Sequence, residues 1–253
     1  MGEHTMTPLH RGRYRAIFSQ SADQVKRAQA FRAQCFEVSE HLDADGFDAH
    51  CQHVLIEEEN TGELVSCFRL LEVTGDTLPK CYSAQFYDLA SLSSFKGPML
   101  EMGRFCIDAG RTDPDILRLA WVALASFVDH RCISFLFGCS SFQGTDPAPY
   151  ADALARLKMR NLAPECWAPG TKAEEIYPYA RLLQGPVENT RALLQTPSLL
   201  RSYLNLGAWV SDHAVIDRAL NTLHVFTGLE MDAIPPQRKQ LLRAALDNDA
   251  RIG

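Results

Sequence analysis

Between residues 99 and 137 the chain places an apolar run, a long apolar helical pattern and a second apolar run in immediate succession, and this order constrains the fold more than any other feature. The first run, Leu100-Glu101-Met102-Gly103-Arg104-Phe105-Cys106-Ile107-Asp108, reads as a strand. Asp113-Pro114-Asp115 then supplies a cap, a proline at the first helical position and an acid in the first turn. The helix so begun carries Ile116, Leu117, Leu119, Trp121, Val122, Leu124, Phe127 and Val128 and runs to about His130, apolar almost all round, as in a buried helix. Cys132-Ile133-Ser134-Phe135-Leu136-Phe137 follows as a buried strand. Strand, helix and strand in such short compass form a crossover, and a crossover demands parallel pairing.

Upstream, Ser21 caps a helix over 21–38 in which Val25, Ala28, Phe31, Cys35 and Phe36 recur at near-helical spacing. An acidic loop from Glu40 to Asp48 leads to Val54-Leu55-Ile56 and Leu64 to Leu71, two strands joined by Glu59-Asn60-Thr61-Gly62, which reads as a hairpin. An antiparallel hairpin beside a parallel pair makes the sheet mixed. Beyond Gly138 prolines interrupt the pattern; helices are expected at 148–160 and 198–206, a strand at Leu223 to Thr227, and a last helix at 236–247. At 253 residues the chain is long enough for one large domain, read here as residues 1–253, with 150–196 a less assignable insertion and 198–253 an extension that completes the sheet.

The 25 Lys and Arg residues against 31 Asp and Glu give a net charge of −6, which argues against a nucleic-acid binder, since the phosphate backbone is held by a basic face. A local basic patch, Arg11, Arg13, Arg15, Lys26 and Arg27, is either a docking surface for an acidic partner or a solvated face. The start lacks a secretory apolar region, and no stretch approaches the roughly 18 uncharged residues a membrane span needs. The expected location is therefore the cytoplasm. The last helix, with Arg238, Lys239 and Arg243 beside Leu241, Leu242 and Leu246, either docks on the core or lies peripherally on the inner face of the cell membrane. Eight scattered cysteines read as reduced thiols. Cys51 and His53, near Cys35 and His50, lack the second arm of a zinc site, so no metal is expected.

Glu101 and Arg104 stand where a buried strand should carry neither charge. Burying ions costs several kcal/mol each unless they are paired, so the two are either a structural salt bridge or part of a site. A bulge at Met102-Gly103 would bring both to one side of the strand.

Three further motifs precede their own, Glu101-Met102-Gly103-Arg104-Phe105, in fixed order: Phe31-Arg32-x-x-x-Phe36, Asp45-Gly46-Phe47-Asp48 and Cys67-Phe68-Arg69-Leu70-Leu71. This set resembles the acyl-homoserine lactone synthases and the bacterial ornithine N-acyltransferases. Phe47-Asp48-x-x-Cys51-x-His53, Phe137-Gly138-Cys139-Ser140-Ser141-Phe142-x-Gly144-Thr145-Asp146-Pro147 and the stretch from Tyr203 to Asp217 are similar to the ornithine enzymes alone. The resemblance implies an α/β fold of the GNAT type, a mixed, splayed central sheet flanked by helices. It implies an N-acyltransferase that takes a (3-hydroxy)acyl chain from acyl carrier protein and places it on the α-amine of L-ornithine. The alternatives are a lactone synthase, an enzyme with another amino-acid acceptor, and a non-catalytic module that binds the carrier protein or lipid.

Within that resemblance Glu101 is the base or the ammonium ligand, and Arg104 holds Glu101 or grips the acceptor's carboxylate. Asp45 and Asp48 bind the acceptor's side-chain ammonium or act as turn residues, and Arg69 pairs with an acid. Arg32, Phe105, Phe137, Cys139 and Ser140 complete the expected substrate-binding set. No cofactor is expected beyond the phosphopantetheine of the donor: Gly110-Arg111-Thr112-Asp113, where coenzyme A users place a Gly-rich pyrophosphate cradle, is not recognisable as a phosphate loop. The donor is already an activated thioester, so Cys139 is expected to be a small hydrophobe rather than a nucleophile.

Overall fold

A computed structural model describes residues 6–38 and 41–239. In chain order its elements are β1 (Leu9–Arg11), β2 (Tyr14–Ser19), α1 (Ala22–Cys35), β3 (Gln52–Glu58), β4 (Leu64–Val73), β5 (Tyr87–Asp88), β6 (Met99–Ile107), α2 (Pro114–His130) and β7 (Phe135–Gln143). There follow α3 (Ala151–Arg160), β8 (Gly170–Thr171), β9 (Ile176–Tyr177), α4 (Tyr179–Leu182), α5 (Asn189–Gln195), α6 (Ser198–Leu206), β10 (Trp209–Val210), β11 (Ala214–Asp217) and β12 (Thr222–Glu230). Two compact units result. Among the described residues one comprises 6–38, 41–72, 102–133 and 236–239, the other 73–101 and 134–235, and the boundary between Glu101 and Met102 falls inside β6.

In the first unit β1, β2, β3 and β4 pair antiparallel in sequence order. The β3–β4 hairpin is the one the sequence predicts, and Gly62 takes a φ of +68° in its turn, where a side chain would be strained. The later part of β6 lies beside β4: the Ser66 hydroxyl donates to the carbonyl of Cys106 at 2.8 Å, and the Asp108 N–H to that of Val65 at 3.0 Å. Ser21 caps α1 by accepting from the Gln24 N–H, and Asp113 caps α2 by accepting from that of Asp115. The apolar stripe of α1 packs over Leu55, Cys67 and Cys106, yet the large side chain it buries fully is Arg32.

The β1–β2 hairpin is absent from the sequence reading, because its alternating arginines resemble a solvated patch. Those arginines have acidic partners: Arg11 meets Asp115 at 3.0 Å, Arg13 meets Asp113 at 3.5 Å, and Arg15 and Arg27 both meet the buried Glu57 at 2.5–2.6 Å. Most of the supposed basic face is thus neutralised from within.

In the second unit β7 is central. It pairs parallel with the start of β6 (Met99↔Phe135, Leu100↔Leu136, Glu101↔Phe137) and antiparallel along its whole length with β12. The sequence expects this strand at 132–137. It begins three residues later and continues to Gln143, because β12 supplies a partner for Gly138 to Gln143 that no local pattern reveals. β10 and β11 pair with β12, and β9 with β11. One face is covered by α3 and α6 through Phe142, Leu154, Leu157, Leu200, Val210, Leu223 and Val225. An aromatic layer includes Phe135, Phe137, Trp209, Phe226 and Tyr87, with ring centroids 5.6–5.9 Å apart. Gly228 makes room for it: a Cβ there would lie 2.6 Å from the Trp209 ring and 2.7 Å from Phe135. The helix expected at 198–206 appears with those bounds, and that at 148–160 as a short 3-10 turn leading into α3. Residues 236–239 of the last expected helix are helical, and the rest lies outside the described residues.

Candidate functional site

Six of the charged residues in the first unit form one buried network. Arg32, projecting from α1, donates through Nε to Asp43 at 2.8 Å and through Nη1 and Nη2 to the two oxygens of Asp48 at 2.9 and 2.8 Å, and its Nη2 also reaches the Asp43 carbonyl. Arg69, on β4, donates through Nη1 to Asp45 at 2.6 Å and Asp48 at 2.7 Å, and through Nη2 to the second oxygen of Asp45 at 2.8 Å. Arg104, on β6, donates to Asp43 at 3.0 Å and Asp45 at 3.3 Å. Three guanidinium groups thus balance three carboxylates, and the planar fork of arginine supplies the paired bonds that make such burial tolerable.

The electrostatics follow from this geometry. Burial works against the ionised form of Asp48, but hydrogen bonds from Arg32, Gln29 and Arg69, with the Arg32 charge, outweigh it and hold the carboxyl well below the usual range. Asp45 is lowered in the same way, its burial overcome by Arg69 and Arg104. His53, buried beneath with Nε2 3.0 Å from the Asp48 carbonyl, is pushed down by burial and stays neutral. Asp48 is therefore committed to the network. Asp45 is the more open: its side chain is 22% exposed against 4% for Asp48.

Glu101 lies in the other unit with a different set of partners. Its Oε2 accepts the Tyr82 N–H at 2.9 Å, and its Oε1 accepts the Ser83 N–H and the Ser83 hydroxyl, both at 2.6 Å. The Ser83 Oγ also lies 3.5 Å from Cys139 Sγ. These are neutral donors around a buried carboxylate. The nearby Cys81 thiol has its pKa raised, by burial first and then by the charge of Glu101.

The two residues that frame the sequence argument thus belong to separate clusters, Arg104 turned to Asp43 and Asp45, Glu101 fastened to the 82–83 backbone. The irregularity expected at Met102-Gly103 sits at Arg104, whose φ of +54° is costly for a side-chain-bearing residue, about 1 kcal/mol or more. Of the remaining expected residues, Phe105 packs at 5.8 Å from Phe68, and Phe137 is buried between Phe135 and Phe226. Cys139 is half-buried, and Ser140 accepts from the Thr227 hydroxyl at 2.8 Å. Sequence reasoning missed Asp43, which only the acidic loop as a whole hinted at, and Tyr82 and Ser83, for which no local signal exists.

Comparisons with known proteins place this geometry. Residues 27–122 match the family model described as an acetyltransferase (GNAT) domain. Over 244 residues the chain is 29% identical to an L-ornithine N(alpha)-acyltransferase of Rhodobacter capsulatus, covering 90% of this chain and 93% of that protein. Over 202 residues it is 31% identical to the protein of the same name in Agrobacterium fabrum, covering 76% and 68% respectively. A solved structure, that of FeeM, an N-acyl amino acid synthase from uncultured soil microbes, is similar at a TM-score of 0.48 and 12% identity, over 89% of this chain and 93% of that one. The mixed sheet flanked by helices is that of the GNAT acyltransferases, and the chain belongs to the L-ornithine N(alpha)-acyltransferase family.

Proposed function

We propose that the protein transfers an acyl group from the phosphopantetheine thioester of an acyl carrier protein to the α-amine of L-ornithine, with no further cofactor. The observation that supports this reading is the similarity to a relative named L-ornithine N(alpha)-acyltransferase over nine-tenths of the chain. The chemistry is compatible with the residues. An α-ammonium has a pKa of roughly 8 and must lose its proton before it can attack a thioester. Glu101 is the group assigned to take that proton, directly or through one water. Tyr82 and Ser83 hold its carboxylate through three hydrogen bonds and fix its orientation, with the Cys81 thiol beside it. Ser83 is on this account a positioning residue.

In the transfer the amine nitrogen bonds to the thioester carbon, the carbonyl becomes an oxyanion, and its collapse breaks the carbon–sulfur bond and expels the pantetheine thiolate, which takes the proton shed by the attacking nitrogen and leaves as the thiol. Backbone N–H groups of β7 beyond Phe137, where the ladder with β6 ends, are assigned to the oxyanion. In the first unit Asp45, the most exposed carboxylate of the network, is held in place by Arg69 and Arg104.

The test is incubation with a 3-hydroxyacyl carrier protein and ornithine, followed by mass spectrometry and thiol release. The α-amide with one free thiol per turnover is expected. Product only with S-adenosylmethionine as acceptor would replace this reading with that of a lactone synthase, and no thioester consumption with any amine would leave a binding module.

A further inference from the structure

Every large hydrophobic residue that is exposed among the described residues lies in one short stretch: Met159, Leu162, Leu182, Leu193 and Leu194, with Leu194 78% and Met159 66% exposed. The stretch is the segment 150–196, for which the sequence offers no resemblance, and within it α3 packs against both α4 and α5. The Lys158 ammonium donates to the Leu183 carbonyl at 2.7 Å, which ties the end of α3, next to Met159, to the end of α4, next to Leu182. The start of α3 is tied to α5 by the Ala153 N–H to Gln195 at 3.0 Å and by Arg191 to Asp152 at 3.5 Å. On α3 the buried residues Ala153, Leu154 and Leu157 occupy one face, so helical geometry sends Met159 to the opposite one.

Cations are interleaved with these side chains in a chain whose net charge is −6: Lys158 and Arg160 flank Met159, and Arg181 precedes Leu182. Of the five acids in the same stretch, three have cationic partners, Asp152 and Glu188 in Arg191 and Glu175 in Arg218, and the other two, Glu165 and Glu174, lie outside α3, α4 and α5. We propose that the outer face of α3, α4 and α5 docks on an anionic lipid surface, its leucines and methionine entering the headgroup boundary and Lys158, Arg160 and Arg181 meeting lipid phosphates. A second copy of the chain fits less well, because a two-fold interface would set the arginines against themselves. The proposal rests on the proposed reaction for its purpose, since an acylated ornithine is a single-chain amphiphile that partitions into a bilayer.

The experiment is flotation of the full-length protein with phosphatidylcholine vesicles with or without phosphatidylglycerol, read without turnover so that it and the proposed activity can fail separately. Binding to the anionic vesicles, weakened by high salt, is expected. Arg160→Gln and Arg181→Gln should each lower partitioning about fivefold, and the triple variant Met159→Glu, Leu182→Glu, Leu194→Glu should abolish it, with amide formation in solution and thermal melting unchanged. Failure of the wild type to float at low salt would overturn the proposal. So would unchanged flotation of the triple variant, a change in its sedimentation coefficient that marks a self-association surface, or a raised KM for the carrier protein with flotation intact.

Discussion

Among the described residues the carboxylates of the 43–48 loop and that of Glu101 are stabilised by opposite means. In the first unit Asp43, Asp45 and Asp48 face Arg32, Arg69 and Arg104, charge against charge. In the second, Glu101 is held by two backbone N–H groups and a hydroxyl. A balanced ionic network gains little from one more ion, since its fields are already spent on each other. A carboxylate held by dipoles keeps its formal charge available to an incoming ammonium. The first arrangement suits shape and stability, the second chemistry.

The comparison breaks most readily at Asp48. Asp48→Ala leaves Arg32 and Arg69 buried with too few acceptors, and a loss of about 3–5 kcal/mol in denaturant unfolding is expected. A loss below about 1 kcal/mol would mean that the network is not what holds the 43–48 loop.

Glu101→Gln should lower turnover by roughly 100-fold or more, with part of the loss recovered at higher pH as the amine deprotonates unaided. The substitution is not silent in the fold, because the new amide nitrogen faces a backbone N–H of Tyr82 or Ser83 where an oxygen stood. Melting temperature is therefore measured alongside. Near-normal turnover in the folded variant would reduce Glu101 to a fastener of the 82–83 segment.

Ser83→Ala should be milder, about tenfold in kcat with KM for ornithine little changed, and Ser83→Thr should restore part of it. An effect confined to melting temperature would make the hydroxyl structural only.

The smallest expected effect is a separation of two acid transitions. Asp45 and Asp48 are lowered in the folded state, so their contribution is present at neutral pH and lost only as pH falls below the unfolded carboxylate value of about 4. His224 in the second unit is lowered to about 4 by burial, with His213 adding to the effect and Asp217 opposing it. It stays neutral when folded but binds a proton near its ordinary 6.5 when unfolded, so stability falls as pH drops from about 6.5 toward 4. Melting followed across pH should show both windows. His224→Gln should remove part of the upper one, the rest belonging to His53, and Asp48→Asn part of the lower, the rest belonging to Asp45.

Local chemistry made much of this legible. Ser21, the Glu59 to Gly62 turn and Asp113-Pro114-Asp115 act within a few residues of themselves, so the elements they start or join follow from sequence alone. The pairing of Arg69 with acids was legible for a similar reason, since a guanidinium in an apolar strand must find a carboxylate. The reach of β7 to Gln143 was not, because it depends on β12 some eighty residues later, and the β1–β2 hairpin was hidden because its arginines meet acids from distant elements. What the sequence by itself determined is which groups must be neutralised: a buried Glu101, a buried Arg69, an acidic loop. Which partner neutralises each was decided only by the tertiary structure, because a hydrogen bond depends on positions a few ångströms apart in space, and Ser83 and Arg32 carry no local mark of the carboxylates they hold.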